Sequence, residues 1–354
     1  MEQYYNLVKE IRAEGVQTPN RTGIDAISIP GAMMKFRMSD GYPMLGGRFT
    51  PFKSMIGELC GFYRACTNAA DFRDLKCKVW DGNANDPGLD NSNAWLRNPF
   101  RKGTDDIGPV YGEQWRNWPG YKAIPMIDGN STAEEVRRID AMVAAVEQDG
   151  WEFIGYVEDN GRQCSMYHKK IDQLADAIRT VIKNPHNRRI LFHGWNPAVL
   201  DEVALPACHL LYQLIPVPST KVLNLVLYVR SNDVGLGAPY NISQAAAQLH
   251  VIARVTGYTP GTVSYMVGDA HIYVNQTAWM DEQLELWNSG QRFELPTLKI
   301  SDNVWEFPVN PQADHIDHYV DKAIETLSTM TPYDFMLVGY KYHTLKEPTP
   351  AMAV

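Results

Sequence analysis

The sequence has little of what a secreted, membrane-spanning or nucleic-acid-binding protein requires. Its five cysteines are an odd number, and their spacing matches neither a disulfide scaffold nor a zinc site. The longest apolar stretch, near residues 222–229, is far too short to span a bilayer, and residues 1–5 lack the apolar core of a secretory signal. A formal net charge of −8 argues against a general nucleic-acid-binding surface. We therefore expect a cytoplasmic protein without a metal site, in which local arginines hold any anionic ligand.

What the chain does contain is enough apolar material for a large core, arranged in both helical and strand patterns. Hydrophobic residues make up 45% of it. Apolar residues at helical spacing run from Tyr4 to Ile11, and Gly15 ends that pattern. Alternation from Leu223 to Arg230 predicts a strand with two different faces. Long helices and hairpin-joined strands together indicate the α+β class. Further helices are predicted at 51–62, 171–182 and 243–255, and further strands at 190–195, 210–215 and 261–267.

Two stretches stand apart from this pattern, although no linker divides the chain. Residues 82–104 are rich in Asn, Asp, Gly and Pro and are predicted to form a long loop. Residues 117–170 resemble an inserted substructure, with a capping box at 131–134 that begins a helix and a hairpin that turns at 159–161. We therefore predict a single domain over residues 1–354 that carries both insertions.

A cysteine and a glutamate are the first candidates for chemistry. Cys208 lies just before a predicted strand, and would be nucleophilic if a positive neighbour stabilised its thiolate. The alternative is a small buried hydrophobe. Glu58 falls on the apolar face of a helix that Thr50, as N-cap, and Pro51 are predicted to begin. A carboxyl there is costly without partners or a raised pKa, unless the helix is rotated so that Glu58 is exposed.

Further candidates are groups suited to hold a phosphate, a sugar or a base. Arg21, Arg188-Arg189 and Arg230-Ser231 offer guanidinium groups for bidentate phosphate binding, although each arginine alone could be a solvated surface group. In an extended chain His271 and Tyr273 point the same way, either towards a sugar hydroxyl or as the polar face of a sheet.

Asp233 and Asn241 flank a stretch rich in glycine and proline, residues 235–239, which is predicted to be a turn. A loop role would be the simplest interpretation of both residues.

These residues occur within motifs whose order along the chain is specific. The motifs are Asn20-Arg21-Thr22-Gly23, Gly57-Glu58-Leu59, Trp80-Asp81, Gly108-Pro109-Val110-Tyr111-Gly112-Glu113-Gln114-Trp115-Arg116, Ile171-Asp172-Gln173-Leu174, Arg188-Arg189, Trp195-Asn196-Pro197, Pro206-Ala207-Cys208-His209, Arg230-Ser231-Asn232-Asp233, Pro239-Tyr240-Asn241-Ile242, Gly268-Asp269-Ala270-His271-Ile272-Tyr273 and Ala353-Val354. In this order they resemble the thymidylate synthase family, from near residue 4 to the last residue apart from the two insertions. The variant at 205–208 and the insertions are similar to a longer bacterial branch and its phage relatives, for which the cytoplasm would be that of the host.

The resemblance implies a fold, an assembly and a reaction. The fold would be that of thymidylate synthase, α+β with a large mixed β-sheet and flanking helices, and one sheet face would form a homodimer interface. The reaction would be reductive methylation of dUMP at C5 by 5,10-methylenetetrahydrofolate, giving dTMP and dihydrofolate through a covalent adduct of Cys208 at C6. Arg188 and Arg189 would reach the phosphate across the interface, so that arginines of two copies surround one dianion.

The resemblance also implies roles for individual residues. Glu58 would handle proton transfers, and Asn241 would pair with O4 and N3–H of uracil because its amide offers one donor and one acceptor. The implied catalytic residues are Cys208, Glu58, Tyr111, Asn241, Asp233 and His209. The implied substrate-binding residues are Arg21, Arg188, Arg189, Arg230, Ser231, Asn241, His271 and Tyr273. The implied folate-binding residues are Trp80, Leu205, Asp233, Gly237, Tyr240 and Val354.

The sequence departs from the family pattern on the folate side. Cys60-Gly61 replaces an apolar Leu-Trp pair, residues 82–84 lack a second tryptophan, Gly235 stands where Phe is commonest, and Gly46-Gly47-Arg48 replaces Thr-Thr-Lys. These changes leave open a dUMP 5-hydroxymethyltransferase, in which water instead of hydride reacts with the exocyclic methylene and tetrahydrofolate is released. The retained Trp80 and the Ala353-Val354 end favour methylation, whereas the altered packing residues favour hydroxymethylation.

Two other classes of protein remain as alternatives. A Cys–His hydrolase would need a histidine oriented on Cys208, whereas His209, adjacent in a strand, would point to the opposite face. A nucleotide- or RNA-binding protein on the same scaffold would be supported by loss of Cys208, Glu58 or Asn241, and all three are present.

Overall fold

The computed structural model describes residues 1–20, 22–86 and 94–351. It divides into two compact units, one made of Met1–Trp115 with the described residues from Leu174 onward, the other of Arg116–Gln173. Among the described helices, none combines the length and the apolar character needed to cross a membrane.

Helices and strands alternate along the described parts of the chain. The helices are α1 (Glu2–Glu14), α2 (Phe52–Tyr63), α3 (Ala69–Asp74), α4 (Asp81–Asn85), α5 (Tyr111–Arg116), α6 (Ala133–Gln148), α7 (Gln173–Lys183), α8 (Gly237–Thr256), α9 (Thr277–Asn288) and α10 (Ile316–Thr329). The strands are β1 (Val16–Thr18), β2 (Ala26–Arg37), β3 (Trp118–Pro125), β4 (Glu152–Asp159), β5 (Arg162–Ile171), β6 (Leu191–His193), β7 (His209–Val217), β8 (Val222–Asp233), β9 (Thr259–Tyr273), β10 (Thr297–Ile300) and β11 (Phe335–Val338).

The larger unit is built on a six-stranded sheet in the order β1-β2-β9-β8-β7-β6. Strands β8 and β9 are parallel and the other neighbours are antiparallel, so the sheet is mixed. Helix α8 packs against β8 and β9, and α2 packs against α8. The predicted α+β class with a large mixed sheet and flanking helices is confirmed.

Burial along β8 explains how the sheet holds its helices. Leu223, Leu225 and Leu227 are fully buried, whereas Tyr228 is 39% exposed on the other face. This is the alternation that the sequence predicts for the strand. One face of the sheet therefore belongs to the core, and the other face leaves apolar side chains exposed.

Several element boundaries differ from the predictions. Helix α8 begins at Gly237, not Ser243, so much of the predicted turn at 235–239 is helical; Pro239 is tolerated because N–H groups in a first turn need no helical partner. Pro51 is the N-cap of α2 instead of Thr50, and no side chain caps it. The insertion helix is capped by Thr132 with Glu135, one residue later than predicted.

The smaller unit pairs a three-stranded sheet, in the order β3-β5-β4, with helix α6. Ile124, Ile139, Val146 and Tyr167 form its own small core. The hairpin between β4 and β5 turns at Asn160-Gly161, where both φ angles are positive (52° and 77°), as a type I′ turn requires. The unit covers the stretch that the sequence marks as an insertion.

Of the predicted loop at 82–104, residues 82–85 belong to α4, and residues 87–93 lie outside the described part of the chain. Arg73 forms ion pairs with Asp81 and Asp105, which ties the end of this segment to α3 and α4.

Candidate active site

A cleft of about 540 Å³ lies where β8 and β9 end, a size suited to small-molecule ligands. Because these strands are parallel and in register at Asp233 and His271, their polar carboxyl ends meet at one edge of the sheet. Helices α2, α5 and α8 contribute the facing wall. The residues predicted from the sequence that line this cleft are Glu58, Trp80, Tyr111, Leu205, Cys208, His209, Arg230, Ser231, Asp233, Gly237, Tyr240, Asn241, His271 and Tyr273.

Four predicted residues are not among those lining the cleft. Arg188 and Arg189 are exposed in the segment before β6. Arg21 and Val354 lie outside the described residues. The turn that contains position 21 does reach the cleft, through Asn20 and Thr22.

Cys208 is held by its backbone and faces a guanidinium group. Its N–H donates to the hydroxyl of Tyr111 at 2.9 Å. Arg230 donates from Nε to the carbonyl of Ala207 (2.9 Å) and from Nη2 to that of Pro206 (3.0 Å), and the same Nη2 lies 3.6 Å from the Cys208 sulfur. A fixed sulfur beside a permanent positive charge suits a nucleophile that must carry negative charge when it attacks.

Glu58 is buried, which rules out the rotated helix register in which it would be exposed. The residue is only 6% exposed, and the Gln244 amide of α8 donates to its Oε2 at 2.7 Å. Burial raises the pKa of Glu58 from 4.5 to about 7, and the hydrogen bond from Gln244 opposes that rise. Among the described residues, the titratable groups with an electrostatic interaction with Glu58 are Tyr111, Tyr212, Tyr240 and Cys77.

His209 lines the same cleft as Cys208, as the family resemblance implies for a catalytic residue. Cys208 precedes the first paired residue of β7, and a bulge follows between His209 and Leu211, so strict alternation does not apply there. The imidazole is buried, and its Nδ1 lies 3.1 Å from the hydroxyl of Tyr212. Burial lowers the pKa of His209 to about 4, which keeps the ring neutral.

Two polar residues at the strand ends share one carboxylate. Ser231 on β8 donates to Oδ2 of Asp269 at 2.9 Å, and Nδ1 of His271 lies 3.0 Å from the same oxygen. The hydrogen bond from His271 holds the pKa of Asp269 below its usual value. The rings of His271 and Tyr273 are 5.0 Å apart, so both reach one part of the cleft.

Asn241 is positioned by a second asparagine. The Nδ2 of Asn232 donates to Oδ1 of Asn241 at 3.1 Å, and the hydroxyl of Tyr265 donates to Oδ1 of Asn232 at 2.7 Å. Asn232 and Tyr265 are both buried, and Asn232 itself lines the cleft. His209 also hydrogen-bonds Asn241.

Asp233 organises the loop that begins α8. Its Oδ1 accepts the N–H groups of Gly235 (2.9 Å) and Leu236 (3.1 Å), and its Oδ2 accepts the Gln276 amide at 2.8 Å. Arg48 donates to the carbonyls of the same two loop residues. Burial raises the pKa of Asp233, although the hydrogen bonds that its carboxylate accepts act in the opposite direction and lower it.

Gln244, Asn232, Asp269 and Gln276 are site residues that sequence reasoning missed. Asp269 alternates with His271 within a recognised motif, so its position signalled a shared face. Gln244 lies among apolar residues of α8, and a polar residue on a core face signals a buried partner. Asn232 also lies within a recognised motif, Arg230-Ser231-Asn232-Asp233, whereas Gln276 carried no comparable signal.

The cleft combines a cysteine beside an arginine, a buried carboxyl with a pKa near neutrality, and an asparagine amide held by a second asparagine. It has the features of an enzyme that uses a covalent cysteine adduct together with acid–base catalysis. Within the described residues, no group of His, Cys, Asp or Glu side chains is arranged to hold a metal ion.

Comparison with known proteins agrees with that class. The family model described as thymidylate synthase matches residues 2–352. Similar relatives, each described as "Thymidylate synthase", come from Pseudomonas syringae pv. tomato (45% identical), Pseudomonas putida (44%) and Bordetella parapertussis (42%), with alignments that cover 97% of this chain and 97% of each relative. The chain belongs to the thymidylate synthase family, as the order of its motifs predicts.

Proposed function

We propose that this chain catalyses reductive methylation of dUMP at C5 by 5,10-methylenetetrahydrofolate, giving dTMP and dihydrofolate. The observation that carries the proposal is that one cleft contains the Cys208 thiol, the Glu58 carboxyl and the Asn241 amide. A nucleophile, a proton carrier and a base-recognising amide are what this reaction requires on one side of a pyrimidine.

The chain's own residues account for activation of the pyrimidine. The Cys208 sulfur adds to C6, and the electron pair of the C5–C6 bond moves towards O4, which makes C5 nucleophilic. Arg230 stabilises the charged sulfur from 3.6 Å. Glu58, with a pKa of about 7, is present in both ionisation states near neutral pH and can both donate and accept protons. Tyr111 holds the Cys208 backbone in place, and 5,10-methylenetetrahydrofolate supplies the carbon and the hydride.

The polar end of the cleft suits the rest of the nucleotide. Arg230 and Ser231 bind the 5′-phosphate together with Arg21 and, from a second copy, Arg188 and Arg189. His271 and Tyr273, whose rings are 5.0 Å apart, bind the 3′-hydroxyl. His209 and Asp233 support catalysis by positioning their neighbours.

The open face of the main sheet supports a homodimer. Met33, Met266 and Tyr228 are paired across β2, β9 and β8 and are 59%, 37% and 39% exposed. Contiguous exposed apolar side chains of this kind characterise interaction surfaces. We propose that this face joins two copies, with Arg188 and Arg189 of each reaching the other's cleft.

The folate side is packed in spite of its unusual glycines. A Cβ on Gly61 would meet the Phe72 ring at 2.3 Å, and a Cβ on Gly235 would meet the Gln276 amide at 2.2 Å, so neighbours already fill both spaces. Phe72 also lies 6.0 Å from the Trp80 ring. Good packing excludes water and so favours hydride transfer over hydroxymethylation.

The folate itself fits an apolar wall beside the nucleotide end. Trp80, Leu205 and Tyr240 line that part of the cleft. Gly237 and Asp233 belong to the adjoining loop, and Val354 is proposed to close over the cofactor.

We propose a cytoplasmic location and a single catalytic domain in which residues 117–170 are an insertion. All five cysteines are free thiols, which suits a reducing compartment.

The test is to incubate the purified chain with dUMP and 5,10-methylenetetrahydrofolate, to follow dihydrofolate by absorbance, and to measure the molecular mass of the nucleotide product. A methyl mass increase with dihydrofolate is the expected result. A hydroxymethyl increase without dihydrofolate would identify a dUMP 5-hydroxymethyltransferase. An unchanged nucleotide that still binds would identify a nucleotide- or RNA-binding protein.

A further inference from the structure

An asparagine side chain cannot by itself distinguish uracil from cytosine. Uracil presents N3–H as a donor and O4 as an acceptor, whereas cytosine presents N3 as an acceptor and its 4-amino group as a donor. Half a turn of the terminal amide exchanges the donor and acceptor of Asn241, so the rotated side chain would pair with cytosine equally well. Discrimination therefore requires another residue to hold the amide in one orientation.

Two neighbours contact the Asn241 amide: the His209 imidazole and the Asn232 amide, and it is the Asn232 bond that sets the direction of the amide. Asn232 donates to Oδ1 of Asn241 at 3.1 Å. A carbonyl oxygen has two lone pairs, so Oδ1 can accept this bond and the N3–H of uracil together. If the Asn241 amide turned to suit cytosine, its NH₂ group would face the NH₂ group of Asn232, and two donors would be left unsatisfied.

Asn232 is itself restrained. Its Oδ1 accepts the hydroxyl of Tyr265 at 2.7 Å, its side chain is 5% exposed, and β8 pairs it with Ala270 of β9. Gly237 lies directly above the contact, because a Cβ there would be 3.3 Å from Asn232 Nδ2 and 3.5 Å from Asn241 Oδ1. The space around both amides is therefore limited.

We propose that Asn232 is a positioning residue for substrate specificity: by donating to Oδ1 of Asn241, it holds that amide in the orientation that pairs with uracil and rejects cytosine. The inference rests on the proposed use of dUMP and adds to it the residue that makes Asn241 selective.

The test compares binding of dUMP and dCMP to the wild-type chain and to the Asn232→Asp and Asn232→Ala variants by titration calorimetry at alkaline pH. Asp has the shape of Asn and keeps the Tyr265 hydrogen bond, but its carboxylate only accepts and so attracts the NH₂ group of Asn241. The dUMP:dCMP affinity ratio should fall by roughly 10- to 100-fold in Asn232→Asp, with dCMP binding improved relative to dUMP. In Asn232→Ala the ratio should fall by less, because the amide becomes free to turn.

The ratio separates this role from a purely structural one. Loss of packing, or repulsion between a new carboxylate and the phosphate, weakens both nucleotides alike and leaves the ratio unchanged. Tyr265→Phe, which removes only the restraint on Asn232, should lower the ratio by a few-fold and provides a second measurement if Asn232→Asp does not fold. An unchanged ratio in the folded variants would overturn the inference while dUMP turnover by the wild type still stood. Failure of the wild type to bind dUMP would overturn the proposed function and this inference together.

Discussion

The two sides of the cleft differ in the surroundings of their charged groups: the strand side is formed by the ends of β8 and β9, and the helix side by α2 and α8. On the strand side, Arg230 and Asp269 keep permanent charges in contact with partly open polar neighbours. On the helix side, Glu58 is buried behind α8 with the Gln244 amide as its hydrogen-bond donor. The first arrangement favours fixed charge and recognition of an anion, and the second brings a carboxyl to a pKa of about 7. Under the proposed function, the strand side binds the nucleotide and attacks it, and the helix side transfers protons.

The largest expected effect is at the sulfur on the strand side. Cys208→Ser should lower turnover of dUMP by roughly 10⁴-fold or more, because a hydroxyl is a much weaker nucleophile than a thiolate. Dihydrofolate absorbance measures the loss, and dUMP affinity should be largely kept. Cys66→Ser, which changes a partly buried thiol elsewhere in the same unit, should retain turnover. Undiminished activity in Cys208→Ser would show that Cys208 is not the nucleophile.

On the helix side, Glu58→Gln should lower kcat by about 10²- to 10⁴-fold, the usual contribution of a general acid–base group. Gln has the same shape but cannot exchange a proton, so KM for dUMP should change little. Steady-state kinetics separates the two constants. An effect confined to KM would mean that Glu58 serves binding, and would contradict a proton-transfer role for the helix side.

The same substitution tests the burial of Glu58 through folding stability. The pKa of Glu58 is 4.5 in the unfolded chain and about 7 in the folded protein, so folding favours the protonated carboxyl. The stability that this preference contributes is fully present below pH 4.5 and is lost as the pH rises through 7. Wild type should therefore lose up to about 3 kcal/mol relative to Glu58→Gln between the acid and alkaline sides of the window. Urea unfolding at both pH values measures the difference. A difference independent of pH would mean that the pKa of Glu58 is not raised.

A smaller effect is expected at the amide that faces the carboxyl. Gln244→Met removes the donor to Oε2, so the pKa of Glu58 should rise further. In the pH profile of kcat/KM, the transition that reports Glu58 should therefore move up by about one pH unit. Gln248→Met, one turn further along α8, is the matched control and should leave the profile in place. A shift of equal size in both variants would indicate a general effect of α8.

The smallest expected effect is at the end of the strand side that is proposed to bind the sugar. Tyr273→Phe removes one hydroxyl and should raise KM for dUMP by about five- to tenfold with kcat nearly unchanged. Tyr121→Phe, an exposed tyrosine of the smaller unit, is the control and should alter neither constant. A loss of kcat with constant KM in Tyr273→Phe would place proton chemistry on the strand side as well.

Most of the reactive groups could be predicted because they lie in contiguous motifs. Cys208, Arg230 and His271 belong to stretches whose residue types and order are informative without a structure. The α+β class followed from strand alternation and helical spacing. Boundaries were less predictable, since α8 begins in a segment whose glycines and proline suggest a turn, and a first helical turn tolerates both residues.

Partners far apart in the chain could not be predicted. Gln244 is 186 residues from Glu58, and Ser231 is 38 from Asp269, so no local spacing links them. Strand alternation could not predict that Cys208 and His209 line one cleft, because Cys208 lies before the first residue of β7. Each of these contacts forms only when strands and helices pack.

The sequence by itself determined which functional groups the protein has and which family it belongs to, because residue type and order are covalent properties. The tertiary structure decided how those groups behave. Burial behind α8 raises the pKa of Glu58, and the contact from Asn232 gives the Asn241 amide one orientation. Ionisation and hydrogen-bond direction depend on solvation and on partners, and both exist only once distant segments are in contact.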